Sequence, residues 1–275
     1  MRSRPRSRPA GRRRSPTRRD NREAEVTDAV RHFTVDGGPI RLLCLPYAGG
    51  GASFFKAWRR IDSSTVDIIG IQLPGRENLI RQPHPATVAD AVDAVLPACE
   101  EHLAQPAPVC LFGHSSGAVI AFEIARRLDV LAPGRVSRLF VSGSAAPWLG
   151  RPGSATGLSD DKFVTAVQSF AGATHPALAE PRLRSLVLPP LRADVRMHEE
   201  YQVPFGIATD TPITAMRGDQ DALISEAATK EWAHATRGDF DYVTLPGEHM
   251  YLTDGRADLI ALVSSYRDRD RARGE

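Results

Sequence analysis

The chain of 275 residues has only three cysteines, Cys44, Cys99 and Cys110. Their odd number, wide separation and lack of CxxC or Cys/His ligand spacing argue against a disulfide framework or a zinc site, and fit a reducing cytoplasm. No run of about 18 apolar residues is present to span a bilayer, and the paired Arg18 and Arg19 lack the apolar stretch an export signal needs. A cytoplasmic protein without membrane contact is expected. Acidic residues are nearly missing from one segment, since Met1 to Arg22 hold ten arginines against a single acid, Asp20. That segment carries +9 of a whole-chain charge of +2, which leaves about −7 for everything after it. Residues 1–25 also have almost nothing apolar to bury, so the entropy of ordering them is not offset and a disordered tail is expected. Such a tail can serve nucleic acid or an acidic surface. A solvated extension, or a start assigned upstream of initiation near Val26, is the plainer reading, and no nucleic-acid partner is expected.

With 42% hydrophobic residues, residues 26–275 can bury one sizeable core. Unbroken apolar runs at Ile40–Tyr47, Val66–Pro74, Val109–Phe112, Leu139–Ser142, Ile213–Met216 and Tyr242–Leu245 read as strands buried on both faces. Helical patterns lie between them at Ser53–Ile61, Thr87–His102, Gly117–Leu128, Glu226–Thr236 and Ala257–Tyr266. The second opens on Thr87 and Asp90, a capping arrangement in which each satisfies a backbone N–H of the other. Alternating strands and helices predict an α/β fold with a mostly parallel sheet and helices on both faces. From about 147 to 210 the alternation stops, and proline-punctuated helical segments read as an inserted helical lid. There is no internal repeat and no second domain.

Gly113-His114-Ser115-Ser116-Gly117 stands between an apolar strand and an amphipathic helix, which is the context that a G-x-S-x-G nucleophile elbow requires. The sharp turn strains the serine, the glycines avoid collisions with neighbouring backbone, and the helix N-terminus favours negative charge developing at Ser115. A serine hydroxyl needs a histidine to take its proton and an acid to orient that histidine. In this α/β-hydrolase fold the chain order is Ser, acid, His. Among the eight histidines, His249 follows the last apolar strand on a Pro/Gly loop and is the candidate base. His114 lies inside the elbow. His32, His84, His102, His175, His198 and His234 fall before the nucleophile, in the insertion or on helices, and read as surface or packing residues. For the acid, Asp219 and Asp221 follow the preceding strand. The spacing from Gly218 favours Asp221 and leaves Asp219 to cap the turn. The oxyanion requires two backbone N–H donors. Ser116, after the nucleophile, provides one, and Ala48, in the loop before Gly49-Gly50-Gly51, provides the other. No GKS, GKT or G-x-G-x-x-G pattern accompanies that loop, so a nucleotide site is not expected.

With these residues placed, the chain resembles the type II thioesterases, stand-alone editing enzymes of polyketide and nonribosomal peptide synthases. The resemblance runs from about Arg41 to Asp254 and rests on LPYAGGGASFFKAW, QLPGRE, FGHSSGA, LPPLRAD and LPGEHMYL in that order. It implies a serine hydrolase that removes aberrant or stalled acyl units from the phosphopantetheine arm of an acyl-loaded carrier protein, with no cofactor and no metal. Two departures stand out: Ser116 occupies a position where the family commonly has methionine, and the arginine-rich tail has no family counterpart. Phe163, Val167, Phe170, Leu178, Leu186, Leu188 and Leu191 are open to two readings, channel lining or ordinary packing. Arg76 and Asp194 likewise read as an ion pair or loop anchor at least as readily as participants in the chemistry. The alternatives are a carboxylesterase or acyltransferase with the same triad, and, from another class, an inactive carrier-binding adaptor, which the intact constellation disfavours.

Overall fold

A computed structural model describes residues 29–33, 39–60, 66–104, 107–150, 154–171, 178, 180–254 and 256–274. The tail expected at 1–25, together with His175, lies outside them. Seven strands form one sheet in the order β1-β3-β2-β4-β5-β6-β7. They are β1 (Val30–His32), β2 (Arg41–Leu45), β3 (Asp67–Ile71), β4 (Val109–His114), β5 (Val136–Ser142), β6 (Ile213–Gly218) and β7 (Phe240–Leu245). β1 pairs antiparallel with β3, and every other pairing is parallel. β1 was not among the expected strands. It is a short edge strand, only partly buried, with no continuous apolar run to mark it.

The unbroken apolar runs work because alternate residues of one strand enter opposite layers. Leu43 and Leu45 pack with Ile69, Leu111, Leu139 and Ala215 beneath α1 (Val88–Leu103) and α2 (Ser116–Leu131). Leu42 and Cys44 face the other way, towards Phe55, Trp58, Phe112, Phe140 and the apolar side of the C-terminal helix. Each fully buried side chain of this size stabilises the fold by roughly 1.5–3 kcal/mol. The Thr87/Asp90 box is formed at the start of α1, with Thr87 N–H donating to Asp90 at 3.0 Å and Asp90 N–H donating to Thr87 Oγ1 at 3.1 Å.

Between β5 and β6 lie α3 (Asp160–Ala171) and α4 (Pro181–Glu200). Pro189 and Pro190 sit within α4, where each removes one ladder donor from a helix that otherwise continues to Glu200. Phe163, Leu178, Leu188, Leu191 and Val195 form a third apolar cluster inside this insertion, and Ala48 packs against it. Most of the candidate channel residues thus pack within the insertion, whereas Leu186 is 55% exposed. The helix expected over Glu226–Thr236 divides into α5 (Glu226–Lys230) and a 3-10 turn at Glu231–Ala235. α6 (Arg256–Gly274) ends the described chain. Among the described residues no helix is long and apolar enough to cross a membrane.

Candidate active site

The carboxyl ends of β4, β6 and β7 deliver the three predicted side chains, and the loop after β2 delivers the predicted backbone donor. At the elbow, Ser115 has φ 54° and ψ −119°, a left-handed conformation that costs a non-glycine residue roughly 1–3 kcal/mol. Two close backbone approaches account for the flanking glycines. A Cβ on Gly113 would lie 2.1 Å from the Gly117 carbonyl oxygen, and one on Gly117 would lie 2.4 Å from that of Pro46. The Ser115 N–H donates to the Ser142 carbonyl at 2.8 Å, which ties the turn to the end of β5. Ser116 is the first residue of α2, so its N–H has no carbonyl four residues back to bond.

Asp221 comes three residues after Gly218, the last residue of β6. Its Oδ2 lies 2.9 Å from His249 Nδ1, while Oδ1 accepts from the N–H groups of Leu223 at 2.9 Å and Ile224 at 3.0 Å. Burial by itself pushes the Asp221 carboxyl up. The hydrogen bond and charge of His249 and the two amides outweigh it and hold the group below the usual carboxylate range. Asp219 is exposed and caps the histidine loop instead, accepting from Gly247 N–H at 2.8 Å. Gly218 lets the two loops meet, since a Cβ there would lie 2.2 Å from the Gly247 carbonyl oxygen. Of the two aspartates, Asp221 is the one in contact with His249, and Asp219 caps the turn.

His249 and the elbow are adjacent through Gly143. The residue before it bonds Ser115, and a Cβ on Gly143 would come 3.1 Å from His249 Cε1 and 2.6 Å from His114 Cε1. With Nδ1 engaged by Asp221, the Nε2 side of the imidazole is the one available to a reacting group. Among the described residues no hydrogen bond is formed by Ser115 Oγ; such contacts are commonly longer before substrate is bound.

The sequence reading missed what lies behind His249. The His114 ring centroid is 5.0 Å from that of His249, and His114 Nδ1 lies 2.8 Å from Ser142 Oγ, which in turn is 2.5 Å from Tyr251 Oη. Burial, and then the charge of His249, hold His114 well below the usual histidine range, so the His249 ring rests on a neutral, packed neighbour. The signal available was position: the residue before an elbow serine ends a buried strand and must sit under the site.

The Gly-rich loop is gripped along its length. Ala52 N–H donates to Gln72 Oε1 at 2.9 Å, Ser53 Oγ to Glu77 at 2.5 Å, and Gly49 N–H to Asp194 Oδ2 at 2.7 Å. Arg76 and Asp194 form a two-pronged pair at 2.5 and 2.8 Å, only 4% and 2% exposed. Of the readings open for these two, loop anchor is the one the contacts match. Among the described residues nothing takes up the N–H of Ala48, the predicted second donor, and no cluster of acidic, histidine and cysteine side chains could hold a metal ion.

Comparison with known proteins places the chain. The gramicidin S biosynthesis protein GrsT of Aneurinibacillus migulanus is 33% identical over 227 residues, 80% of this chain and 86% of its own. The thioesterase PikA5 of Streptomyces venezuelae is 34% identical over 215 residues, 78% and 76% of the two chains. Among solved structures, the type II thioesterase BorB from the borrelidin biosynthetic cluster superposes with a TM-score of 0.77 at 28% identity, covering 86% of this chain and 97% of that one. Residues 40–267 match the family model described as Thioesterase domain, and the chain belongs to that family, as a serine hydrolase on the α/β-hydrolase sheet.

Proposed function

We propose that this enzyme hydrolyses acyl thioesters carried on the phosphopantetheine arm of a synthase carrier protein, with Ser115 as nucleophile, His249 as general base and Asp221 as its orienting acid. One observation carries the mechanism: Asp221 Oδ2 holds His249 Nδ1 at 2.9 Å beside a serine strained at φ 54°. Ser115 Oγ attacks the thioester carbonyl as its proton passes to His249 Nε2. The N–H groups of Ala48 and Ser116 receive the oxyanion. Collapse expels the pantetheine thiolate, which takes the proton from His249, and leaves the acyl group on Ser115. Water, deprotonated by the same imidazole, then attacks the acyl-enzyme and releases the carboxylic acid. Because thiolate is a good leaving group, stabilising the oxyanion is the main demand on the site.

The choice of carrier-bound substrates is supported by the company of relatives: GrsT is a gramicidin S biosynthesis protein, and BorB is a type II thioesterase from the borrelidin biosynthetic cluster. Editing of aberrant units is the corresponding role. A cytoplasmic setting belongs to the same reading and agrees with three buried cysteines outside any disulfide, Cys44, Cys99 and Cys110. The test is hydrolysis of acyl-phosphopantetheinyl carrier proteins beside simple oxygen esters, by wild type and Ser115→Ala. Release of acid from the carrier by wild type alone is expected, and preference for oxygen esters would defeat the assignment.

A further inference from the structure

A buried ion pair needs a reason, because in water-excluded surroundings the cost of desolvating two charges largely cancels their attraction. An apolar pair of the same volume often serves stability as well or better. Arg76 and Asp194 are 118 residues apart in sequence and almost wholly buried, so the pairing is specific to the tertiary fold. Its placement supplies the reason. Asp194, on α4, accepts from Gly49 N–H at 2.7 Å, while Arg76 Nη1 donates to the Gly50 carbonyl at 3.2 Å. The two ends of one ion pair thus hold the N–H of the peptide that follows Ala48 and the carbonyl of Gly50, two peptides further on.

We propose that Arg76 and Asp194 are positioning residues for the oxyanion loop, setting the Ala48 N–H through Gly49 and Gly50 and making that setting depend on helix α4 being seated. The inference rests on the acyl-transfer reading of Ala48.

Four contacts define which part of the loop depends on α4. The far end is held without it: Ala52 is bonded to Gln72 and Ser53 to Glu77, both from the segment after β3. The near end has Gly49 at φ +75°, and a Cβ there would stand 2.9 Å from Leu191 Cβ, so α4 lies directly on the backbone. α4 is braced beyond its C-terminus, where Tyr201 Oη donates to Glu123 of α2 at 2.6 Å. Any movement of the middle of α4 away from the loop removes the acceptor of Gly49 N–H and loosens the peptide that follows Ala48. A hole with one donor displaced is a poor hole, since loss of one such donor slows another serine hydrolase by about 100- to 1000-fold.

The experiment uses the full chain and compares Arg76→Met/Asp194→Leu with Asp194→Asn. The double variant removes both charges, leaving no unpaired ion but no acceptor for Gly49. Asp194→Asn leaves Arg76 unpaired but keeps an acceptor oxygen. Kinetics on an acyl-pantetheine thioester, the inhibition constant of an alkylboronic acid that forms a tetrahedral adduct on Ser115, the pH–rate profile and Tm are measured. The double variant is expected to be the more stable of the two but the slower. Its kcat should fall at least about tenfold, up to the 1000-fold of a lost donor, with KM within about threefold, boronate affinity falling in parallel with kcat, and the pH profile unmoved. Activity that simply ranks with Tm, or a double variant with kcat within about threefold of wild type, would overturn the proposal. Should the double variant not fold, Asp194→Asn against Asp194→Ala decides: both unpair Arg76, and equal kcat in the two is the refuting result. A wild type that binds the boronate but cleaves no thioester would defeat the substrate reading, while the boronate series still judges the positioning.

Discussion

Replacing Asp221 by asparagine changes one atom's chemistry and little volume, and the contacts of Asp221 predict its consequence. Its Oδ1 accepts two backbone N–H groups, from Leu223 and Ile224. An asparagine must therefore turn its carbonyl oxygen to that side, because an NH2 group there would face two donors. Its NH2 then points at His249 Nδ1 from the place where Oδ2 now lies at 2.9 Å. That nitrogen is forced to accept, the ring proton moves to Nε2, and the edge facing substrate becomes a donor that cannot take the proton of Ser115. The same tautomer error in another serine hydrolase lowers kcat by about 10⁴, or about 5 kcal/mol at 1.36 kcal/mol per tenfold. Stability should change much less, since the oxygen that accepts from both amides is kept. Asp219→Asn is the control: it is exposed, retains an acceptor for Gly247 N–H, and should alter kcat/KM by less than about threefold. Steady-state kinetics on an acyl-pantetheine thioester, with Tm as the check on folding, decides. An Asp221→Asn enzyme within tenfold of wild type, or an Asp219→Asn enzyme that is the worse of the two, refutes the reasoning.

Removal of the proposed nucleophile should separate function from stability: Ser115→Ala is expected to lose several orders of magnitude in kcat. Ser115→Gly should be equally inactive but more stable than Ser115→Ala by about 1 kcal/mol in denaturant titration, because φ 54° suits glycine; equal stabilities would count against strain at the elbow. His114 is buried between Ser142, Tyr251, Tyr47 and His249 with its proton affinity depressed. The stabilisation from keeping it neutral is therefore full above the unfolded value of about 6.5 and is lost as pH falls from there towards the folded value, by up to about 1.4 kcal/mol per pH unit. In His114→Gln this part of the slope in unfolding free energy between pH 6.5 and 5 should vanish, and an unchanged slope would contradict it. Gly143→Ala places a methyl 2.6 Å from His114 and 3.1 Å from His249 at φ +56°. It should lower kcat by at least about tenfold with roughly 1–2 kcal/mol of lost stability, and normal kinetics would show that His249 has room to spare.

The residues alone carried a good deal. Apolar runs at Ile40–Tyr47 and Val109–Phe112 announced doubly covered strands because burial on both faces leaves no room for polar alternation. The elbow was legible from Gly113 and Gly117, whose absent side chains meet backbone at 2.1 and 2.4 Å. Asp221 and His249 could be placed by their distance from strand ends, since a short loop allows few ways off a parallel sheet. β1 was not legible, because an exposed edge needs no apolar pattern.

What the sequence by itself determined is the set of groups that local chain geometry must bring to the sheet's carboxyl edge: Ser115 at its strained turn, the acid loop, the histidine loop and the Gly-rich loop. Tertiary structure alone decided what surrounds and holds them. His114 beneath His249, Gly143 between them, and Arg76 clasping Asp194 across 118 residues depend on which elements pack together. The physical reason is range: turn strain and hydrophobic period act over a few residues and leave a mark in the sequence. A buried charge finds its partner only after the chain has folded, and no local spacing records the choice.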